Sequence, residues 1–419
     1  MGNISKILCC VLWMAHPAWG SELLSNSLVP GTSVQDLLQW QEQDSAELAA
    51  ARYDTESAVQ RAETAGALPD PSLRIEWQDV NGISVLPGQV GAMKYTVLQA
   101  LPGWGKRAVQ KQLGAAGVTV VREQQRATAA ELRAQMKTAF VRYYQTHHAL
   151  QLNEELEKFT AMVAQLAQSR YETGLATQQD LVRAQLEQSA LQSERYALQA
   201  TYSQSQARIN ALLNRPVYAA LAQPAILRPL PPPVLLNETA LEQRVRNNSP
   251  QLAGQAAQAV VAQSNVDLAR KNLTPDFVLG VGPVQRGGSI STWDAMLEFS
   301  IPLQRGAHDA HQHEAGEMMQ ASLARHQVLE SQLLGELREH YAALHAAQQQ
   351  ENLIHQRVLP LAELAFKGAL AGYQSSRVDF ATLLEAKRQL QKARLDELNA
   401  SVEQQIHLAE IERLTGEEL

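Results

Sequence analysis

The sequence predicts a mainly α-helical fold with a small β part. It reads as two like halves, each giving two strands and a pair of very long helices. Three observations carry that prediction. First, neither Gly nor Pro occurs from Val118 to Thr173, a stretch of roughly 84 Å if helical at 1.5 Å per residue. Second, Tyr171-Glu-Thr-Gly174-Leu-Ala-Thr177-Gln-Gln-Asp180-Leu-Val-Arg-Ala184 aligns without gaps on Tyr373-Gln-Ser-Ser376-Arg-Val-Asp379-Phe-Ala-Thr382-Leu-Leu-Glu-Ala386, and an internal repeat constrains the fold more than any local pattern. Third, the 419 residues are 45% hydrophobic but only 5% aromatic. Ala, Leu, Val and Gln dominate, which suits long helices with narrow seams better than a thick core.

Taken in order, residues 1–20 read as an export signal. Lys6 gives the charge, Ile7 to Ala15 the short apolar stretch, and Ala18-Trp19-Gly20 the small-residue cleavage site before Ser21. Both cysteines, Cys9 and Cys10, fall in this segment, so a processed chain would hold neither a disulfide nor a thiolate metal site. The first repeat then spans 21–214, a Pro-rich linker 215–237, and the second repeat 238–419. The linker carries Pro224, Pro229 and Pro231-Pro232-Pro233. It is expected to be an extended spacer, with a partner-binding polyproline segment as the alternative.

Each repeat holds a pair of alternating segments, at about 72–101 and about 276–301. Leu73, Ile75 and Trp77 alternate with Arg74 and Glu76; Met93, Tyr95 and Val97 with Lys94 and Thr96. Phe277, Leu279 and Val281 alternate with Gly280 and Gly282; Trp293, Ala295, Leu297, Phe299 and Ile301 with Asp294, Glu298 and Ser300. Period two with one apolar and one polar face marks strands. One reading is a small soluble sheet packed on helices. The other is a barrel wall with a wet interior, which the charged face suits. Four strands cannot close such a barrel, since the smallest use about 8, and open edges in lipid leave backbone groups unpartnered. A membrane reading therefore requires several chains to share one barrel, and three chains give twelve strands.

Long helices fill the rest. Starting near Lys106, the helix that runs to Thr173 would reach roughly 100 Å. Leu175 to Arg215 and Tyr373 to Thr415 are likewise free of Gly and Pro, and Ala307 to Ala371 is expected to be a helix kinked near Pro360. The hairpin tips fall near 171–177 and 372–380. A heptad-like comb follows the first tip through Leu181, Ala184, Gln188, Leu191, Arg195, Leu198, Tyr202, Ser205, Ile209 and Leu212. Its polar members indicate a helix with two neighbours and one wet side, not a dry zipper.

With the doubled tip motif, the two strand pairs and the strand ends Leu101-Pro102 and Ile301-Pro302 in view, the chain resembles the outer-membrane efflux channel (TolC) family over essentially its whole length after the signal. That resemblance implies a homotrimer: a 12-stranded outer-membrane β-barrel continuing into a periplasmic α-helical coiled-coil barrel. It also implies the exit duct of a tripartite pump, with a periplasmic adaptor (membrane fusion) protein, an inner-membrane pump and outer-membrane lipid as partners. Gly103-Trp104-Gly105-Lys106-Arg107 resembles the Gly-Lys-Arg signature of the heavy-metal cation-efflux branch, which favours metal cations over multidrug efflux or type I secretion. The signature occurs once, since the second strand pair ends in Gln304-Arg305-Gly306.

The same resemblance maps adaptor contacts onto the tips at Gly174, Leu175, Thr177 and Ser376, where a purely structural turn is the alternative. It maps a periplasmic constriction onto Arg377, Asp379, Thr382 and Glu385, where ordinary solvated helix charges are the alternative. In a trimer each charge recurs three times, and such a ring selects against anions. From the residues alone, His308, His311 and His313, beside Asp309 and Glu314, form a candidate Zn or Cu site, or else a polar helix start. The chain is acidic, with net charge −7 and no Lys/Arg cluster, so nucleic acid is not an expected partner. No nucleophile–base pair, phosphate loop or zinc-protease motif occurs, so neither enzyme activity nor a cofactor is expected. A soluble periplasmic coiled-coil scaffold or adaptor is the competing class.

Overall fold

The computed structural model describes residues 29–78 and 90–419; the expected signal at 1–20 lies outside them. Helices α1 (Val34–Asp44) and α2 (Ala46–Thr64) lead into strands β1 (Ser72–Gln78) and β2 (Ala92–Leu101), then helices α3 (Lys106–Glu172) and α4 (Gln178–Leu212). The order recurs in α5 (Glu238–Asn248), α6 (Pro250–Lys271), β3 (Phe277–Arg286), β4 (Ser289–Phe299), α7 (Arg305–Leu353), α8 (Leu359–Gln374) and α9 (Phe380–Thr415). Among the described residues no helix is long and apolar enough to cross a membrane.

Local chemistry sets the helix ends. Ser33 and Asp36 form a reciprocal capping box that starts α1, satisfying two donors that a helix start leaves unpaired. α3 runs unbroken for 67 residues, about 100 Å. The kink expected at Pro360 takes the form of a π-helical turn at Ile354–Val358 between α7 and α8. Proline has no N–H and its ring crowds the carbonyl four residues back, and the wider turn just before it makes room for both.

The four strands form one antiparallel sheet in the order β1-β2-β3-β4, so its middle pair joins the two repeats. Register puts Arg74 opposite Thr96, Glu76 opposite Lys94, and Gly282 opposite Asp294. One face thus collects the charges, and Lys94 reaches Asp294 at 2.9 Å. The other face collects Leu73, Ile75, Trp77, Val97, Leu279, Val281, Trp293, Leu297 and Phe299, all exposed, with Trp293 at 68% and Leu73 at 63%. The sheet is therefore not packed by its apolar face onto helices, which removes the soluble-sheet alternative. Its tightest point is at Gly282, where a Cβ would come within 1.6 Å of the Tyr95 carbonyl oxygen; only glycine lets the two backbones approach so closely.

Three cores lie in sequence along the long helices. One joins Leu37, Phe140, Tyr143, Ile209 and Val402. A second joins Leu241, Leu333, Leu344, Leu408 and Ile411, and a third, at the tips, Val163, Ala184, Tyr373, Phe380 and Leu383. Every residue of the α4 comb is buried or half-buried. The polar comb members lie at the half-buried margin, as a helix with one wet side requires.

The Pro-rich linker is not a free spacer. Its Arg228 guanidinium donates to both oxygens of Glu412 at 2.8 and 3.0 Å, while Lys137 of α3 reaches Glu412 at 2.9 Å and Glu418 at 3.0 Å. Gln405 of α9 donates to the Arg228 carbonyl at 2.7 Å, and Leu221 and Leu236 are buried. The segment is a strap laid across both repeats. Its prolines need no N–H partners there, which is why it can run extended over packed helices without a ladder.

Candidate functional site

The two hairpin tips stand side by side at one end of the molecule, and each is built by a left-handed residue followed by a cap. In the first, Gly174 has φ +77° and the N–H groups of Leu175 and Ala176 both donate to the Arg170 carbonyl at 2.7 and 3.1 Å. Thr177 then caps α4 in a box with Asp180. Leu175 is 65% exposed, an apolar side chain presented outward at the apex. Thr177 is thus occupied in holding the turn, while Gly174 and Leu175 form its open surface.

In the second tip the corresponding left-handed residue is Ser376, φ +58°, and the N–H groups of Arg377 and Val378 donate to the Gly372 carbonyl at 2.8 and 3.2 Å. Holding a non-glycine residue there costs roughly 1–2 kcal/mol. The Ser376 hydroxyl accepts from Arg170 at 2.7 Å, and a hydrogen bond to a charged group contributes roughly 1.5–3 kcal/mol. The bond is of the same size as the strain and offsets it, which lets a serine stand where the first tip has glycine.

Arg170 is the residue that sequence reasoning missed. Besides Ser376 it donates to the Tyr373 carbonyl, and its guanidinium lies 4.7 Å from the centroid of the Tyr373 ring. One side chain from the first hairpin therefore staples the second. Tyr373 is buried, and its ring meets Phe380 edge-on at 5.8 Å. Three turns deeper a second staple was also missed. Glu187 of α4 accepts from Lys387 and Arg388 of α9, each at 3.0 Å, with Glu187 and Lys387 both buried. Burial works to raise the Glu187 carboxyl, but the two cations outweigh it and hold it below the ordinary carboxylate range.

The expected constriction residues Arg377, Asp379, Thr382 and Glu385 all lie exposed on the second tip, within two helical turns of one another. Asp379 and Thr382 are engaged locally. The Asp379 carboxylate caps α9, accepting from the Thr382 N–H at 2.9 Å and from its hydroxyl. Those bonds hold its carboxyl below the usual carboxylate range. Glu385 accepts from Gln389 at 3.1 Å. Arg377 and Glu385 are the two whose charges are free of turn-building duty.

The histidine segment is not gathered around one point within the protomer. His308, His311 and His313 lie on the first turns of α7; His311 and His313 are exposed, and His311 contacts Glu314 at 3.2 Å. His313 follows His311 by two residues, which on a helix turns it to the opposite side, so the three imidazoles do not converge. Among the described residues no group of three His, Cys, Asp or Glu side chains is placed to hold a metal ion.

The Gly103–Arg107 segment turns out to be a joint. The Gly103 N–H donates to Asp276 at 2.7 Å, Lys106 reaches the same oxygen at 2.8 Å, and Arg107 donates to the Gly66 carbonyl at 2.8 Å. Gly105 takes φ +84° as α3 begins, and Trp104 packs edge-on against Phe277 at 5.4 Å. The segment ties the end of β2 and the start of α3 to the start of β3.

Residues 241–417 match the model of the family described as outer membrane efflux protein. The match is confined to the second repeat. It covers β3 and β4, the strap's partner Glu412 and the stapled tip. Solved outer-membrane channels share the fold over the first repeat too. CusC, solved in crystal structures describing folding and transmembrane channel formation, superposes with a TM-score of 0.80 at 18% identity, over 94% of each chain. The outer-membrane channel OprN gives 0.78 at 17%, covering 91% of this chain and 89% of its own. VceC, an outer membrane protein of Vibrio cholerae, gives 0.79 at 16%, covering 92% and 96%. No curated protein matches at the sequence level.

Proposed function

We propose that this chain is one protomer of a trimeric outer-membrane exit duct, passive in itself and driven by an inner-membrane pump through a periplasmic adaptor. The observation that carries this reading is the sheet: an apolar face left bare, a charged face opposite it, and outer strands β1 and β4 at open edges. Water would penalise the first feature and lipid the last. Three copies joined β4 to β1 relieve both, since closure removes the edges and lipid covers the apolar face. The long helices then continue beneath the barrel as a tunnel through the periplasm. The family match of the second repeat and the shared fold with outer-membrane channels support the same reading.

In this duct the exposed tip surface at Gly174, Leu175 and Ser376, with Thr177 behind it, receives the adaptor. Arg377, Asp379, Thr382 and Glu385 ring the narrow periplasmic end, with Arg377 and Glu385 supplying the free charge. The cargo class we favour is heavy-metal cations, on the resemblance of Gly103–Arg107 to that branch, although in this chain those residues serve as a structural joint. Fractionation tests the duct: the protein is expected in the outer membrane, detergent-dependent, and as a heat-modifiable trimer in SDS. A soluble monomer would sink the proposal and favour a periplasmic scaffold. Cargo is tested by deleting the gene and growing cells on divalent metals, copper, antibiotics and bile salts. Sensitivity to the drugs alone would replace metal cations with multidrug efflux.

A further inference from the structure

Helices α7 and α9 are held together by a row of side-chain contacts, and two of them involve histidine. From the strap toward the tip the row runs Arg413 to Glu336 at 3.2 Å, His407 to His340 at 3.1 Å between their Nδ1 atoms, Gln404 to Glu351 at 2.7 Å, and His355 to Glu397 at 2.7 Å. The last falls within the π-helical turn at Ile354–Val358. We propose that this seam is a pH-responsive catch: acid breaks the His340–His407 contact and transfers the hold on α7 to the His355–Glu397 ion pair at the π-turn.

The chemistry of the two contacts is opposite in sign. Two imidazole Nδ1 atoms 3.1 Å apart share one proton; a second proton replaces a hydrogen bond with two facing cations. A histidine–carboxylate contact gains on protonation, because only then is it an ion pair. Burial pushes the His407 imidazole below its ordinary value, and the neighbouring His340 pushes it further the same way. A base whose folded pKa is depressed leaves the folded seam stable above the ordinary histidine range, and that stability is lost as pH falls below it.

Surrounding charges do not rescue the doubly protonated pair. On α9, Glu403 lies 3.8 Å from His407 Nε2 but also binds Arg142 of α3 at 3.5 Å. Glu410 of α9 is held by Arg413 at 2.7 Å, which also gathers Glu336 of α7 and Glu131 of α3. From α5, Glu238 binds Arg338 and Arg246 binds Glu330 at 3.1 Å. α6 carries charge only at its C-terminal end, where Asp267 pairs with Arg270. Glu403 and Glu410 draw the His407 imidazole upward, but burial and His340 outweigh them, and Glu351 of α7 is taken up by Gln404 and Ser401.

The test is hydrogen exchange on the purified full chain at pH 7.5 and 5.0, corrected for the intrinsic pH dependence of exchange. In the wild type, protection of the α7 and α9 amides around His340 and His407 is expected to fall about 10-fold on acidification. His407→Gln and, separately, His340→Gln should cut that response below about twofold, whatever their protection at pH 7.5. Unchanged wild-type protection, or glutamine variants that lose as much protection on acidification as the wild type does, would overturn the proposal. The readout is local to one protomer, so it stands apart from whether the protein forms a duct.

Discussion

Removing the Arg170 staple is the sharpest perturbation the structure offers. Arg170→Ala deletes a charged hydrogen bond to Ser376, another to the Tyr373 carbonyl, and the stacking on Tyr373. A single charged hydrogen bond contributes roughly 1.5–3 kcal/mol and an exposed cation–π contact roughly 0.5–1 kcal/mol. These share one half-exposed side chain and are not additive, so the combined loss is about 2–3 kcal/mol. It is a local loss, because the helices below keep their own cores. Hydrogen exchange of the second tip, from Tyr373 to Phe380, should accelerate roughly 30- to 150-fold at about 1.4 kcal/mol per decade. The amides of α3 above Val163 should be unaffected. Arg170→Lys keeps the charge but loses the planar fork, and should recover less than half of the protection. In planar bilayers the same variant should raise conductance if the tips bound the pore. Tip exchange unchanged by Arg170→Ala, or lost equally along α3, would refute the staple.

Other expectations follow from neighbouring contacts. Glu187→Gln strands buried Lys387 and should lower stability by about 3–5 kcal/mol, whereas Glu187→Met with Lys387→Leu should come out near neutral; chemical denaturation separates the two. Because the Glu187 carboxyl is held low in the folded state, the stability it provides is present above the ordinary carboxylate range and is lost as pH falls through the lowered value. Acid titration of the wild type against Glu187→Gln should show a steeper decline for the wild type. Gly282→Ala drives a methyl into the Tyr95 carbonyl and should abolish the heat-modifiable oligomer, while Gly316→Ala in α7, which opens on empty space, should leave it intact. Asp379→Ala with Glu385→Ala should raise single-channel conductance in planar bilayers, and unchanged conductance would remove these residues from the constriction.

What could be read from the sequence was whatever repeats at short range. Leu73, Ile75 and Trp77 announce their common face by alternation alone, and the lack of Gly and Pro after Val118 announces α3. The doubled tyrosine motif locates both tips. The staples were illegible because Arg170 and Ser376, or Glu187 and Lys387, are some two hundred residues apart, and each looks like an ordinary helix charge. Asp379 was visible as a charge but not as a cap, since capping depends on where the helix begins. In the histidine segment, the spacing puts His308 and His311 on one helix face, whereas His313, two residues on, turns away from them. The linker misled because proline content indicates an extended path but not what that path lies against.

The strap has a consequence for how the chain comes to be finished. Glu412 binds Lys137 from the first repeat, Arg228 from between the repeats, and the backbone N–H of Leu419. The central strand pair likewise needs β2 from one repeat and β3 from the other. Neither half can therefore complete itself while the other is still arriving. Such long-range dependence slows folding and lengthens the exposure of unpaired edges. A chain emerging from one end must be kept open until α9 can reach both α3 and the strap, which makes the docking of α9 a late step of protomer assembly.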